Sequence, residues 1–405
     1  MDGKIRQTEL FTRTRMNAPK DEISRNAELL VRAGYVDKLM AGVYSYLPLG
    51  LRVIKNIEQI IREELQEVGA QEVFLPSLQP KEHWTQTGRW ETMNDLYKVV
   101  DASGREFALG PTHEEIIVPL VQKFALSYRD FPFSVYQFQN KFRMELRAKS
   151  GLLRGREFLM KDMYSFHVDV GEFASFYERM QSAYSAIFNR VGIGERTFLT
   201  YASGGSFSRY SHEYQTITAA GEDTIHLCRK CGIAINDEII ADKSSCPKCG
   251  SVKLSKEKSI EVGNIFELKT RFTEAFGFSV MSAEGVRVPI FMGCYGIGLG
   301  RLMGTIAEAL SDSAGLVWPK SVAPYKFHLI ELSAGRGAKL FESLPGVLYD
   351  DRDVGAGEKF ADADLLGLPY RVIASEKTES AGAYEMKDRA TGEVRHLSEV
   401  ELLKV

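Results

Sequence analysis

Residues 142–162 read FRMELRAKSGLLRGREFLMKD, a run that sets Arg143, Arg147, Arg154 and Arg156 among phenylalanines in a chain whose formal net charge is -3. A solvated basic face is the plain alternative for such a run. Its flanks argue for more. From Ser134 onward Tyr136, Phe138, Phe142 and Met144 alternate with Gln137, Gln139, Lys141, Arg143 and Glu145, the period of a strand with one apolar side. After the turn-forming RAKSGLLRG, a second alternation puts Arg156, Phe158, Met160, Asp162, Tyr164 and Phe166 on one face. The spacing predicts an antiparallel hairpin. Its polar face combines guanidiniums, carboxylates and a ring, which is what a nucleoside triphosphate requires. Guanidinium forks take phosphate oxygens in pairs, and a cation opposite a ring can sandwich a base. ATP is the ligand this pattern predicts.

The 405 residues are too many for one ordinary core, so two or three domains are expected. Hydrophobic residues at 44% and charged residues at 26% fit a globular protein. The slightly acidic balance excludes a uniformly basic nucleic-acid binder and leaves RNA contacts to local patches. The first residues lack a signal-type apolar core, and nowhere do about 18 apolar residues run together. A cytoplasmic protein without a membrane segment is therefore expected.

Ile54, Ile57, Ile61, Leu65 and Val68 recur at helical spacing before Gly69, and the strand-like EVFLPSL follows, its Pro76 suited to a sheet edge or an interface. In EFALGPTHEEIIVPLVQKFA a strand, a turn at Gly110 and Pro111, and a helix opening at Thr112 are expected. Thr112 and Glu115 have the form of a capping box, which leaves Glu114 beside a hydroxyl as a holder for a substrate ammonium. Cys228-x-x-Cys231 and Cys246-x-x-Cys249, with fourteen residues between the pairs, take the knuckle form CxKCG. Four thiolates at that spacing predict a closed, structural zinc site, the alternative being reduced thiols left from a lost one. In PIFMGCYGIGLGRLMGTIAEAL an apolar strand meets a glycine-rich turn and a helix with Arg301 at its start. Cys294 reads as a small core residue. After WPKSVAPY, alternating strand and helix signals predict a small α/β domain.

These segments, in this order, resemble the class II aminoacyl-tRNA synthetases, most closely the prolyl enzymes of bacterial type, over nearly the whole chain. Gly50 to Leu78 resembles their motif 1, the dimer-forming helix and strand. FRMELR through REFLMKDMYSFH resembles motif 2, GCYGIGLGR motif 3, and GPTHEE the TxE loop. SHEYQ, GED and IEVGNIF recur in the family's order, and LYDDRD with KFADADLLGLP is similar to its anticodon-binding domain.

The resemblance implies an α+β fold: an antiparallel sheet flanked by helices, a small zinc-ribbon-like insertion, and a C-terminal α/β anticodon-binding domain. The expected boundaries are 1–224 and 256–322 for the catalytic domain, 225–255 for the insertion and 323–405 for the last domain. It implies ATP with Mg2+, L-proline and tRNA(Pro) as ligands, and a homodimer. By the same resemblance, Arg143 bridges the α-phosphate and the proline carboxylate. Arg301 and Arg154 hold the outer phosphates, Phe158 stacks on adenine, and Glu145 accepts from its amino group. Thr112 and Glu114 take the proline ammonium, while Asp162 and Tyr164 shape the pocket. Glu261 and Asn264 fall where the family contacts ATP or its magnesium, although many bacterial members carry histidine at the second position. Arg352 and Lys359 are the expected tRNA contacts, chosen by position and charge.

Two departures stand out. Many bacterial relatives carry a long editing insertion between motifs 2 and 3, where this chain has only the cysteine knuckle. A pocket discriminates weakly against a smaller analogue such as alanine, so mischarged alanyl-tRNA is expected to need a separate, trans-acting editor. ASGGSFSRYSHEYQ also holds a few extra residues before Ser211. The rivals are a threonyl or glycyl enzyme of the same subclass, against which the TxE loop and REFLMKDMYSFH stand, and a noncatalytic RNA-binding paralogue, against which the retained Glu114, Arg143 and Arg301 stand.

Overall fold

The arginine-rich stretch does close a hairpin. In the computed structural model, which describes residues 3–17, 24–146, 148, 150–205 and 209–405, strand Phe133–Phe142 pairs antiparallel with Glu157–His167, Gln137 lying opposite Asp162 and Lys141 opposite Phe158. Arg147 and the centre of the extra stretch before Ser211 lie outside the described residues. The apolar and polar sides alternate as expected, but Gln137, Gln139 and Lys141 are all buried. The polar face is thus the one that looks into the protein, because it carries the site.

This hairpin sits in a nine-stranded sheet. The order is Tyr210–Ile217, Thr197–Ser203, Ile233–Asn236, Asp223–Cys228, Ser255–Lys269, Phe291–Gly298, Glu157–His167, Phe133–Phe142 and Gln71–Glu72, and Tyr210–Ile217 also pairs antiparallel with Ser255–Lys269. Most pairings are antiparallel. On one face Phe158, Met160 and Asp162 border cavities, and further along Tyr164 and Phe166 pack with Ile117, Val118 and Val121 of helix Glu114–Val121. Helix Val170–Arg190 covers the opposite face, bringing Phe173 and Phe176 against the ring of His167. The strand period of two, read against both layers, fixes which residues can reach a ligand.

Several expectations need correcting. EVFLPSL is not a full strand: only its ends are regular, Glu72 in Gln71–Glu72 at the sheet edge and Leu78 in Leu78–Pro80 of another sheet. Beyond Glu72, Val73 N–H still reaches the Tyr136 carbonyl, but Leu75 N–H donates to the side-chain Oε1 of Gln137, 2.9 Å away, and Pro76 has no N–H to give. The cysteine knuckle of 225–255 is continuous with the main sheet, since its flanking strands Asp223–Cys228 and Ile233–Asn236 are hydrogen-bonded within the nine-stranded sheet. Gly293, Gly296 and Gly298 do not form a turn either. They lie in strand Phe291–Gly298, which runs directly into helix Leu299–Leu310. Gly296 faces Asn264 across the strand pair, and a Cβ there would meet Asn264 Oδ1 at 2.8 Å.

A smaller three-stranded sheet, Leu78–Pro80, Glu106–Leu109 and Tyr97–Val100, packs around Trp84, Trp90, Leu96 and Ala108. Both sheets belong to one unit, Ala41–Val43 with Glu58–Thr305.

The second unit comprises Met1–Met40, Tyr44–Ile57 and Ile306–Val405. Its sheet runs Ile5–Arg6, Val347–Asp350, Phe327–Glu331, Tyr370–Ala374, Tyr384–Asp388, Val394–Leu397, with the first four parallel. Phe327, Leu329, Tyr349, Val372 and Met386 lie in its core. The N-terminal segment therefore does not join the catalytic domain as the boundary at 224 implied: its Ile5–Arg6 strand completes the C-terminal sheet. Helix Pro48–Glu67 spans the boundary between the units, buries Val53, Ile54, Ile57, Ile61 and Leu65, and ends before Gly69, whose φ of +81° an L side chain resists. Among the described residues no helix is long and apolar enough to cross a membrane.

Candidate active site

The hairpin register delivers Arg143, Glu145, Arg154 and Phe158 to one cavity, and the neighbouring strand and helix add Glu261, Asn264 and Arg301. The Arg143 guanidinium lies 5.3 Å from the Phe158 ring centroid. Its Nη2 donates weakly to the Pro111 carbonyl at 3.4 Å, and its buried Nε has no hydrogen-bond partner among the described residues. Burial, and then the positive charge of Arg301, lowers the Arg143 pKa from its ordinary value. Two cations held this way in one polar cavity call for an anion.

Arg301 is tied on two sides. Its Nε donates to Leu153 O at 2.9 Å and its Nη1 to Glu261 Oε2 at 2.8 Å. Glu261 also accepts from Asn264 Nδ2 at 3.0 Å. Arg154 is looser, 3.9 Å from both Glu145 and Glu222 and half-exposed. The Glu145 backbone is held on both sides, its N–H donating to Arg143 O and its carbonyl accepting from Arg156 Nε at 3.0 Å.

Adjoining this space is a cavity of about 520 Å³, which shares Arg143, Met160, Asn264 and Gly296 with it and adds Thr112, Glu114, Asp162 and Cys294. The expected capping box does not form. His113 is the N-cap of helix Glu114–Val121 and makes no side-chain cap. Thr112 Oγ1 donates instead to Glu114 Oε2. Glu115 is drawn away to Arg89 Nη1, at 3.0 and 3.1 Å, and to Thr87 Oγ1 at 2.9 Å. An ion pair with a buried cation outcompetes a single amide bond. Cys294 lies in the core as expected and also borders the cavity, its thiol 3.5 Å from Glu114 Oε1.

Asp162 is compensated from beneath. Lys141 Nζ stands 2.7 Å from its Oδ1, while Gln137 Nε2 and the Tyr164 hydroxyl both donate to Oδ2 at 3.0 Å. Tyr164 does not border the cavity. It is buried below, where its hydroxyl also accepts the His113 N–H at 3.1 Å, so it supports the pocket without forming its wall.

A further group of acids lies beyond Arg154 and Arg301. Glu213, Glu222, Asp223 and Glu261 border a third cavity. Gln215 Nε2 donates to both Glu213 and Asp223 at 3.0 Å. Burial, and then the Glu261 charge, pushes Glu213 up to about 8. These carboxylates are the oxygen donors available nearby to a hard divalent cation.

Elsewhere in this unit the four knuckle cysteines converge, their sulfurs all within 4.8 Å of one another. Sulfur separations of 3.3, 3.6 and 3.7 Å approach the roughly 3.8 Å edge of a tetrahedron with Zn–S bonds of about 2.3 Å. Gly232 and Gly250 turn the two knuckles with φ of +67° and +70°.

The expected tRNA contacts both have partners within their own domain. Arg352 is clamped by Asp350 at 2.7 and 2.8 Å and by Asp362 at 2.9 Å. Lys359 is buried, donating to Glu331 O at 2.7 Å and Asp350 O at 3.3 Å. The buried Asp350 carboxylate needs compensation, and Arg352 supplies it. The residues missed in the sequence are Arg89, Lys141, Glu213, Asp223 and Cys294. SHEYQ and GED carried a signal for the two acids, whereas nothing local marks Arg89.

Comparison with known proteins places this geometry. Residues 97–310 match the family profile described as the tRNA synthetase class II core domain (G, H, P, S and T), and residues 337–405 match the anticodon binding domain. The chain is 39% identical over 389 residues to the proline–tRNA ligase of Wolbachia sp. subsp. Drosophila simulans (strain wRi), covering 91% of each chain. It is 32% identical to the proline–tRNA ligase of Bacillus subtilis (strain 168), covering 98% of this chain and 99% of that one in an alignment 559 positions long. Among solved structures it is similar to the Giardia lamblia prolyl-tRNA synthetase in complex with prolyl-adenylate, with a TM-score of 0.75 at 18% identity, covering 93% of this chain and 75% of that one.

Proposed function

Because the chain belongs to the proline–tRNA ligases, a family of class II aminoacyl-tRNA synthetases, we propose that its two adjoining cavities hold ATP and L-proline for ligation to tRNA(Pro). The proline carboxylate attacks the α-phosphate of ATP, giving prolyl-adenylate and releasing pyrophosphate. The terminal ribose hydroxyl of the tRNA then attacks the prolyl carbonyl and AMP leaves. The observation that carries this assignment is Arg143, which borders both cavities. A guanidinium there can bridge the carboxylate and the phosphate and stabilise the charge that spreads over phosphorus during in-line displacement.

In this reading Arg301 and Arg154 hold the outer phosphates, Phe158 stacks on adenine, and Glu145 accepts from its amino group. Glu261 and Asn264 orient the nucleotide and, with the neighbouring acids, would hold Mg2+. That ion neutralises phosphate charge when bound. Thr112 and Glu114 receive the proline ammonium, and Asp162 shapes the pocket floor. The four cysteines hold a structural zinc; a four-thiolate set leaves no open position for catalysis. The segment around helix Pro48–Glu67 forms a homodimer interface, and the protein works in the cytoplasm. The alignment 559 positions long, set against a chain of 405 residues, supports the absence of a cis-editing insertion.

Pyrophosphate exchange surveyed with all twenty amino acids tests the assignment. Proline alone should support exchange, and proline with matched tRNA(Pro) should give charging. Exchange with another amino acid in preference to proline would overturn it.

A further inference from the structure

Two charged residues of the lobe built on the three-stranded sheet, Arg89 and Asp95, border the amino-acid cavity. Arg89 opens the short helix Arg89–Thr92, directly after Gly88 with its φ of +72°. It is buried between two rings, its guanidinium carbon 5.1 Å from the Trp84 centroid and 5.5 Å from that of Phe272. From there Nη1 reaches both carboxylates of the Glu114-Glu115 pair, but unequally. The contacts to Glu115 are 3.0 and 3.1 Å, and the contact to Glu114 is 3.4 Å.

That inequality has a chemical consequence. Glu114 borders the cavity with Thr112 and Cys294, whereas Glu115 is fully buried behind it and also holds Thr87. A buried guanidinium pairs most strongly with the nearest anion, and Nη1 is shared between both oxygens of Glu115. With Glu115 as that anion, the Arg89 charge is largely neutralised. Glu114 meets Arg89 only through the longer contact and is steered by it without being claimed.

We propose that Arg89 and Glu115 are positioning residues for the amino-acid substrate: Glu115 neutralises Arg89 so that Glu114 faces the ammonium of a cyclic, secondary-amine amino acid as an available anion. The proposal rests on the assignment of Glu114 above. Neither residue touches the reacting atoms.

The test is proline-dependent pyrophosphate exchange, with KM measured separately for proline and ATP. Glu115→Gln should raise the proline KM about tenfold or more, because Arg89 then turns its charge on Glu114, and leave the ATP KM within about twofold. Arg89→Gln combined with Glu115→Gln should recover a proline KM below that of Glu115→Gln alone, since the uncompensated cation is gone. An unchanged proline KM in Glu115→Gln, an equal rise for ATP, or a double variant no better than Glu115→Gln would each overturn the proposal. Should Glu115→Gln fail to fold, Arg89→Gln is compared with the double variant. Equal proline KM values support the proposal and a further rise in the double variant refutes it. Lack of proline-dependent exchange in the unaltered protein would instead remove the functional assignment itself.

Discussion

Arg301 donates through Nη1 to Glu261 Oε2 at 2.8 Å on the wall of the cavity that also holds Arg143. The pair holds a cation on the wall of a polar space. Arg301→Ala should raise the ATP KM in pyrophosphate exchange by about tenfold or more and change the proline KM little. Arg143→Ala, which removes a donor shared by both cavities, should lower kcat by about a hundredfold or more. Near-normal exchange in Arg143→Ala would refute its role.

Lys141 and Asp162 form a buried pair at 2.7 Å beneath the amino-acid cavity. Removing one partner strands the other charge away from water. Lys141→Met should therefore destabilise the fold by about 3–5 kcal/mol, read as a shifted denaturant midpoint. Lys141→Met with Asp162→Asn should recover part of that loss.

The four-sulfur cluster should bind one zinc per chain, measured by elemental analysis. Chelation, or Cys249→Ser, should lower the melting temperature. Because strands Asp223–Cys228 and Ile233–Asn236 continue into the main sheet, loss of the metal should be felt as a catalytic defect as well as a local one. Full stability and activity in metal-free protein would contradict this.

Lys161 is buried on the helix-covered face, where its ammonium donates to the Tyr184 hydroxyl at 2.6 Å and the Tyr295 carbonyl at 2.9 Å. Burial lowers its pKa to about 7, against about 10.4 in an unfolded chain. Between those values the unfolded state binds the extra proton, so this group makes stability rise with pH and contributes no further change below about 7. Denaturation from about pH 7.5 to 9.5 should show that rise, and Lys161→Met should flatten it.

Alanyl-tRNA(Pro) incubated with the protein alone should deacylate no faster than in buffer. Rapid hydrolysis would show that cis editing survives without a large insertion.

The hairpin was legible because strand alternation is local: Phe158, Met160 and Asp162 were assigned to one face from period alone, and they border the cavities. The knuckle was legible because its ligand spacing is local too. The capping-box expectation at Thr112 and Glu115 failed because the nearest hydrogen-bond donor in sequence was not the strongest in space. Arg89, 26 residues before Glu115, captured the carboxylate. The pairing of Arg352 with the buried Asp350 was hidden for the same reason, since a positive charge near a motif says nothing about which carboxylate it neutralises.

By itself the sequence determined the alternation of the site strands, the four-cysteine knuckle and the ordered motifs that mark a class II synthetase. Only the tertiary structure decided which charges remain available to substrates. It set Arg143 on the border of two cavities, tied Arg301 to Glu261, diverted Glu115 to Arg89, and enclosed Tyr164, Arg352 and Lys359. The reason is physical: whether an ionised side chain is available depends on its distance to every other charge and on its burial, and both are properties of the packed chain that no run of neighbouring residues contains.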